Sequence, residues 1–254
     1  MKKLLVLALA LVLALSMVAC TSDKETANTD TDAPETEAPV VNEVEEETEA
    51  TVMSYEEFAA AELDSEVTVE TYIQAKQGWW TDDQGVSKAT FYTQSEDGAY
   101  FLYDMPCSEE EYDALSAGTK IKVTGYKAEW SGEVEIIDAK FEILEGEFVA
   151  SPMDATELLG SDELVDHQNK LVSFTDMTVE SIEYKNGEPG DDIYVNLTKD
   201  GASYSFCVEV YLTGVDSDVY EAVGELKADD VIDVEGFLYW YEGPNTHITA
   251  VTVK

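Results

Sequence analysis

Ten residues near the middle of the chain, "VTGYKAEWSG" (Val123–Gly132), return in altered form near its end as "VEGFLYWYEG" (Val234–Gly243). At a constant offset of 111 residues, Ile121 matches Ile232, Val123 matches Val234, Gly125 matches Gly236 and Gly132 matches Gly243. Ile137 matches Ile248 and Ala139 matches Ala250 in the same frame. The length allows one or two domains, and a duplication of this kind decides for two. Within the repeat, Ile121, Val123 and Gly125 share one strand face, while Lys120, Lys122 and Thr124 share the other. The apolar set is expected to face a core. Gly125 and Gly236 are expected where a strand bends sharply to close a barrel.

Both copies carry the same order of elements. In the first, "VTVETYIQAK" from Val67 alternates as a strand, and "GWWTDDQG" is a loop. "KATFYTQS" and "AYFLYD" form a hairpin around "EDG", and Ser108 with Glu111 opens a short helix through a capping box. "TKIKVTGYKAEW" and "EVEIIDAKFEIL" are a final strand pair joined at "SG". The second copy repeats this with "KLVSFTDMTVESIEY", "IYVNLTK", "ASYSFCVEVYL", a helix over "DSDVYEAVGEL", then "DVIDVEGFLYWY" and "THITAVTV". A helix capped by Ser54 and Glu57 precedes the first copy, and "SPMDATELLG" is its shorter counterpart before the second.

Five strands with a helix between the third and fourth resemble the OB-fold. The resemblance covers about Val67–Glu145 and Lys170–Lys254 and rests on element order and the V-x-G pattern. The expected fold class is mainly β: two five-stranded OB-like barrels in tandem, each with a helix between strands three and four. One large β-sandwich with a fortuitous echo is the rival reading.

The N-terminal residues form a different kind of segment. Lys2 and Lys3 precede an apolar run from Leu4 to Leu15, then "SMVAC". This is the pattern of a secretory signal, and the run is short for a transmembrane helix. "Met17-Val18-Ala19-Cys20" resembles the lipobox of bacterial lipoproteins. The resemblance implies cleavage before Cys20 and a diacylglyceryl group on its sulfur, hence attachment to membrane lipid without a spanning helix. Tandem OB-like modules also resemble those of some secreted bacterial lipoproteins. The segment 21–52 holds eleven Asp/Glu, one Lys and no aromatic residue, a composition that suits a disordered, extended tether. The expected organisation is therefore residues 1–19 signal peptide, 20–52 acidic tether, 53–148 first domain and 149–254 second domain. The expected location is extracytoplasmic and membrane-anchored, at a Gram-positive cell surface.

OB-folds use strands two and three and the loops after strands one and four to bind oligonucleotides or oligosaccharides. Here these places carry Trp79, Trp80, Tyr92, Tyr103, Trp130 and, at the matching turn of the second copy, Tyr241. These six residues are the candidate ligand-binding set, a stacking platform for glycan, peptide or protein groups. Strand alternation would place about half of the strand rings inside the barrels. Adjacent Trp79 and Trp80 cannot both point inward from an extended strand.

Charge argues against nucleic acid as a partner. The chain has 14 Lys, no Arg and 55 Asp/Glu, for a net charge of −41. Phosphate binding draws on Lys and Arg. An extracellular nucleic-acid-binding protein is kept as the alternative, and an enzyme of unrecognised type as a third reading. Only His167 and His247 are present, neither beside a Ser or Cys in a catalytic motif, so no catalytic residues are assigned. No motif calls for a cofactor. Acidic pairs such as Asp82-Asp83 and Asp191-Asp192 suit weak Ca2+ association but match no EF-hand spacing, and no metal site is assigned. Cys107 and Cys207 fall at non-equivalent positions and are expected to be two separate thiols. The sequence thus points to a non-enzymatic, lipid-anchored binding protein.

Overall fold

The computed structural model describes residues 51–254, which belong to one compact unit, Thr48–Lys254. The signal, lipobox and most of the tether lie outside the described residues. Helix α1 (Tyr55–Ala60) begins at the Ser54/Glu57 capping box, with Ser54 N donating to Glu57 Oε2 at 2.8 Å. Strand β1 (Glu66–Lys76) follows, then a two-residue strand β2 (Trp80–Thr81), β3 (Ser87–Gln94) and β4 (Ala99–Pro106). Helix α2 (Glu109–Ala114) starts at the second capping box, Ser108/Glu111. Strands β5 (Thr119–Trp130) and β6 (Glu133–Glu147) complete the first unit. β1 pairs with β3 and β5, β3 with β4, β5 with β6, and β4 runs parallel to β6. That circuit closes a five-stranded barrel in OB order.

The second unit repeats the circuit. A two-residue strand β7 (Met153–Asp154) runs parallel to the start of β8 (Leu171–Tyr184), and β9 (Ile193–Lys199) and β10 (Ala202–Val208) follow. After two short helices, α3 (Val210–Thr213) and α4 (Asp218–Gly224), come β11 (Val231–Phe237) and β12 (His247–Val253). β8 pairs with β9 and β11, β9 with β10, β11 with β12, and β10 meets β12 in parallel. The fold class is therefore two OB-like barrels. Each has its own core: Val69, Phe91, Leu102, Ile121 and Ile136 in the first, Phe174, Val195, Phe206, Ile232 and Ile248 in the second.

Two local expectations need correction. "ASYSFCVEVYL" is not one strand: Glu209 accepts a bond from Tyr211 N at 3.0 Å, capping α3 and ending β10 at Val208. "SPMDATELLG" forms a strand pairing and a single 3-10 turn at Thr156–Leu158, because Asp154 bonds Thr156 N and starts a tight turn.

The repeated glycines are needed for room. A Cβ at Gly125 would lie 2.7 Å from Ile137 O, and one at Gly236 only 2.2 Å from His247 O. At each place the pairing with the last strand slips, between Thr124 and Tyr126 and between Glu235 and Gly236. The bulge bends the strand and brings the neighbouring backbone against the glycine. The alternation also governs Lys127, two residues beyond Gly125 on the inward-facing series. It is 6% exposed and donates to the carbonyls of Phe58, Ala59 and Ala61 at 2.8–3.0 Å. A cation at the C-terminal end of α1 thus satisfies carbonyls that the helix leaves free.

Candidate functional site

The central face of the first barrel is the outer side of the β3–β4 hairpin. Phe91, Tyr100 and Leu102 point into the core, so alternation turns Tyr92, Phe101 and Tyr103 outward. The second barrel covers most of that face. Tyr92 is fully buried, with its ring stacked on Phe237 at 4.4 Å and 11°. Its hydroxyl bonds His247 Nδ1 at 2.8 Å. Phe101 meets Tyr239 edge-on at 5.5 Å, and Leu171 N donates to Gln94 Oε1 at 2.9 Å. Tyr92 is thus removed from the candidate set: the second copy occupies the position a ligand would take. His247 is a buried structural partner, held neutral because burial pushes its pKa down to about 4.

The two β-hairpin tips after β5 and after β11 meet one another. Trp130 and Tyr241, equivalent in the repeat, have ring centroids 5.2 Å apart. Glu242 N donates to Ser131 O at 2.8 Å, again between equivalent positions. A residue that touches its own counterpart lies near a two-fold axis, as at an isologous dimer interface. The duplicated chain is thus packed in the manner of a homodimer at this point. Below the tips, Glu133 is fully buried and accepts Trp240 N at 2.7 Å. Gln168 accepts from Val134 N at 3.1 Å and donates to Gly132 O at 2.7 Å. Burial pushes the Glu133 carboxyl up to about 8, and that of Glu135 up to about 7. Burial thus favours the neutral form of Glu133, which needs no buried cation beside it.

What remains open is a groove at the edge of the seam. A cavity of about 470 Å³ is lined by Trp79, Trp80 and Tyr103 from the first barrel and by Tyr211 from α3 of the second. Gly78 N donates to Tyr211 O at 2.9 Å, which fixes α3 at the groove wall. Trp79 is half-buried, and its Nε1 donates to Cys107 O at 3.0 Å. Trp80 and Tyr103 are 44% and 46% exposed, and Tyr211 is 69% exposed. The Lys88 ammonium stands 4.5 Å from the Trp80 ring centroid and is itself paired with Asp104 at 3.1 Å and Asp82 at 3.5 Å. That pairing holds Lys88 against the indole and offsets its charge.

The structure therefore divides the six candidates. Trp79, Trp80 and Tyr103 share the groove, Trp130 and Tyr241 form a separate exposed pair, and Tyr92 is interior. Tyr211 was not legible as a site residue, because its position depends on the helical turn that Glu209 caps. Among the described residues no group of three or more His, Cys, Asp or Glu is placed to hold a metal ion. The acidic pairs serve the fold instead: Asp82 accepts Gln84 N and Val86 N at 2.9 Å, and Asp192 pairs with Lys185 at 2.8 Å. Cys107 and Cys207 are buried and free.

No protein-family model matches the chain, and no curated protein sequence does. Among solved structures, it is similar to a murine DNA-binding protein bound to double-stranded DNA, at 11% identity and a TM-score of 0.36, over 73% of this chain and 94% of that one. It is also similar to a HINa domain in complex with 20-bp double-stranded DNA, at 9% identity and a TM-score of 0.34, over 75% and 98% of the two chains. The single-stranded DNA binding protein from Thermus aquaticus, as a deletion mutant, matches at 15% identity and a TM-score of 0.26, over 74% and 93%. The likeness is one of fold alone. One expectation is corrected here: nucleic acid, set aside on net charge, is what these matched structures are described as binding.

Proposed function

We propose that this chain is a binding protein, not an enzyme, whose tandem barrels present an aromatic groove to a ligand built of rings. The observation that carries this reading is the groove itself: Trp80, Tyr103 and Tyr211 exposed around a cavity of about 470 Å³ on the ligand-binding side of an OB-like barrel. Large exposed rings cost water-exposed apolar area, and their convergence from both barrels is what a stacking site needs. Oligosaccharides and oligonucleotides are both bound on this face in OB-folds, and both offer ring faces. We further propose that Cys20 carries a lipid and that the acidic segment holds the barrels off an extracytoplasmic membrane face, a reading supported by the lipobox-like "MVAC".

Tryptophan fluorescence tests the groove. Wild type and Trp80→Ala would be titrated with wall-type oligosaccharides and with single-stranded oligonucleotides at physiological salt. A saturable change in wild type that is lost in the variant supports the reading; no change with either class removes it. Membrane fractionation of Cys20→Ala tests the anchor, and unchanged membrane association would end that part.

A further inference from the structure

The seam holds two buried oxygens that lack a hydrogen between them. Residues 132–134 of the first barrel are clamped by the second. Gly132 O accepts from Gln168 Nε2 at 2.7 Å, and Val134 N donates to Gln168 Oε1 at 3.1 Å. Val134 O accepts from Asn169 Nδ2 at 3.3 Å, and Glu133 Oε2 accepts from Trp240 N at 2.7 Å. Glu133 stands at the centre of this clamp, fully buried, and Asn169 is 2% exposed. Among the described residues, Glu133 Oε1 and Asn169 Oδ1 both lack a hydrogen-bond partner. The two side chains lie within hydrogen-bonding reach of one another. Both atoms are acceptors, and the Asn169 amide nitrogen is already used, so the missing part is a hydrogen. A carboxyl group supplies one when it is protonated. A buried site resists leaving such atoms bare. Asn169 is also held in place: its φ is 67°, a region Asn tolerates better than most residues, and its N–H donates to Leu238 O at 2.9 Å.

We propose that Glu133 holds a proton on Oε1 and donates it to Asn169 Oδ1, and that loss of this proton releases the second barrel from the first, uncovering Tyr92 and Phe101. The titratable groups around Glu133 are acids: Glu135 on the same strand, Tyr92 from β3, Tyr55 from α1 and Tyr239 after β11. Lys127 lines a cavity together with Asn169 and Asp166, but its ammonium is already given to the α1 carbonyls. His247, bonded to Tyr92, is neutral above about pH 4. Burial raises the Glu133 carboxyl from 4.5 to about 8 in the docked state. Its support for docking is full below 4.5 and is lost progressively as pH rises to about 8. One proton released on opening makes the opening constant rise about 10-fold per pH unit within that window. Opening parts Tyr92 from Phe237 and Phe101 from Tyr239, and with them the bonds from Leu171 N to Gln94 Oε1 and from Glu242 N to Ser131 O. Each barrel has its own core, so the seam can part without exposing either.

Native-state hydrogen exchange on the whole chain tests the proposal. The amides of Val134, Leu171 and Glu242 report opening of the seam, and those of Val123 and Val234, on buried core strands, report unfolding. Seam amides should be less protected than core amides, and in wild type their opening constant should rise at least about 10-fold per pH unit between about pH 5.5 and 7.5. Glu133→Gln keeps the shape, donates to Asn169 Oδ1 and does not titrate. The ratio of opening constants, wild type over Glu133→Gln, should therefore rise about 10-fold per pH unit, and the same ratio should appear when both chains also carry Glu135→Gln. The infrared spectrum at about pH 6 should show a carboxylic acid band that weakens in Glu133→Gln. Parallel pH profiles in wild type and Glu133→Gln, or a ratio that flattens in the Glu135→Gln background, overturn the proposal. So do seam amides that exchange only together with the core amides, and a carboxylic acid band that Glu133→Gln leaves unchanged.

Discussion

Alanine at Gly236 tests how the duplicated strands are built. The added Cβ would stand 2.2 Å from His247 O and 2.8 Å from His247 C, and its neighbours are backbone atoms that cannot rotate away. An ordinary contact is roughly 1 Å longer, so β11 and β12 must separate at a paired position of the barrel. Overpacking typically costs about 1–3 kcal/mol, and a backbone obstacle places this site at the upper end, about 3 kcal/mol. At Gly125 the nearest atoms are Ile137 O at 2.7 Å and Ile136 Cγ2 at 2.8 Å, one of them a side chain that can adjust. There we expect about 1–2 kcal/mol. Gly78 has no atom within 4 Å of its notional Cβ, and Gly78→Ala should lie within about 0.5 kcal/mol of wild type. Urea unfolding gives the three values directly, and for a unit of this size about 3 kcal/mol corresponds to a fall of roughly 6–12 °C in melting temperature. The expected order of damage is Gly236, Gly125, Gly78. A Gly236→Ala variant as stable as Gly78→Ala would refute the close-approach argument.

The seam yields further expectations. Tyr92→Phe removes the hydroxyl bonded to His247 and should cost about 1–2 kcal/mol, whereas Tyr92→Ala also opens a cavity against Phe237 and should cost about 3–5 kcal/mol, both measurable by urea unfolding. The pH dependence has two limbs. Glu133, with a folded pKa near 8, and Glu135 and Glu209, near 7, all lie above the ordinary carboxylate value because of burial. Their contribution is full below the ordinary value of 4.5 and is lost progressively from there as pH rises, until it is gone at 7 to 8. His247 lies below its ordinary value for the same reason, so its contribution is lost as pH falls from about 6.5 through 4. Above the ordinary carboxylate value the three raised carboxyl groups outweigh the single imidazole, so melting temperature should peak near pH 4.5 and fall towards pH 8, and Glu133→Gln should make that fall shallower; a flat profile in wild type would contradict the burial argument. Burial raises both thiols, Cys107 to about 11, so a thiol reagent at pH 8 should label them slowly in the native protein and quickly in denaturant.

Much of this architecture is legible in the chain because local patterns agree with one another. The capping boxes at Ser54 and Ser108, the alternation of β5 and the paired glycines all describe short-range geometry, which sequence carries directly. The seam is different. Tyr92 and Tyr103 occupy the same outward series on one hairpin, and only the docking of Phe237, Tyr239 and His247 buries the first while leaving the second 46% exposed. No periodicity in β3 and β4 encodes that contact. Lys127 shows the same limit. It stands on the inward face, yet its role depends on the end of α1, nearly seventy residues earlier in the chain. Glu133 reads as one acid among 55, and its burial against Trp240 N is a property of the joined barrels. Trp130 and Tyr241 are recognisable as equivalents in sequence. That equivalents should touch each other becomes visible only in three dimensions.

The four tryptophans offer the most direct test of where a ligand lies. Trp79, Trp80, Trp130 and Trp240 each give one indole N–H resonance, and Trp240 serves as an internal control. Trp79 and Trp80 both line the groove, whereas Trp240 packs against the core of the second barrel. During an NMR titration with oligosaccharides and with oligonucleotides, the Trp79 and Trp80 indole signals should move together with one dissociation constant, while that of Trp240 stays in place. Movement confined to Trp240, or four unmoved signals across the oligosaccharide and oligonucleotide series, would contradict the binding site described for these barrels.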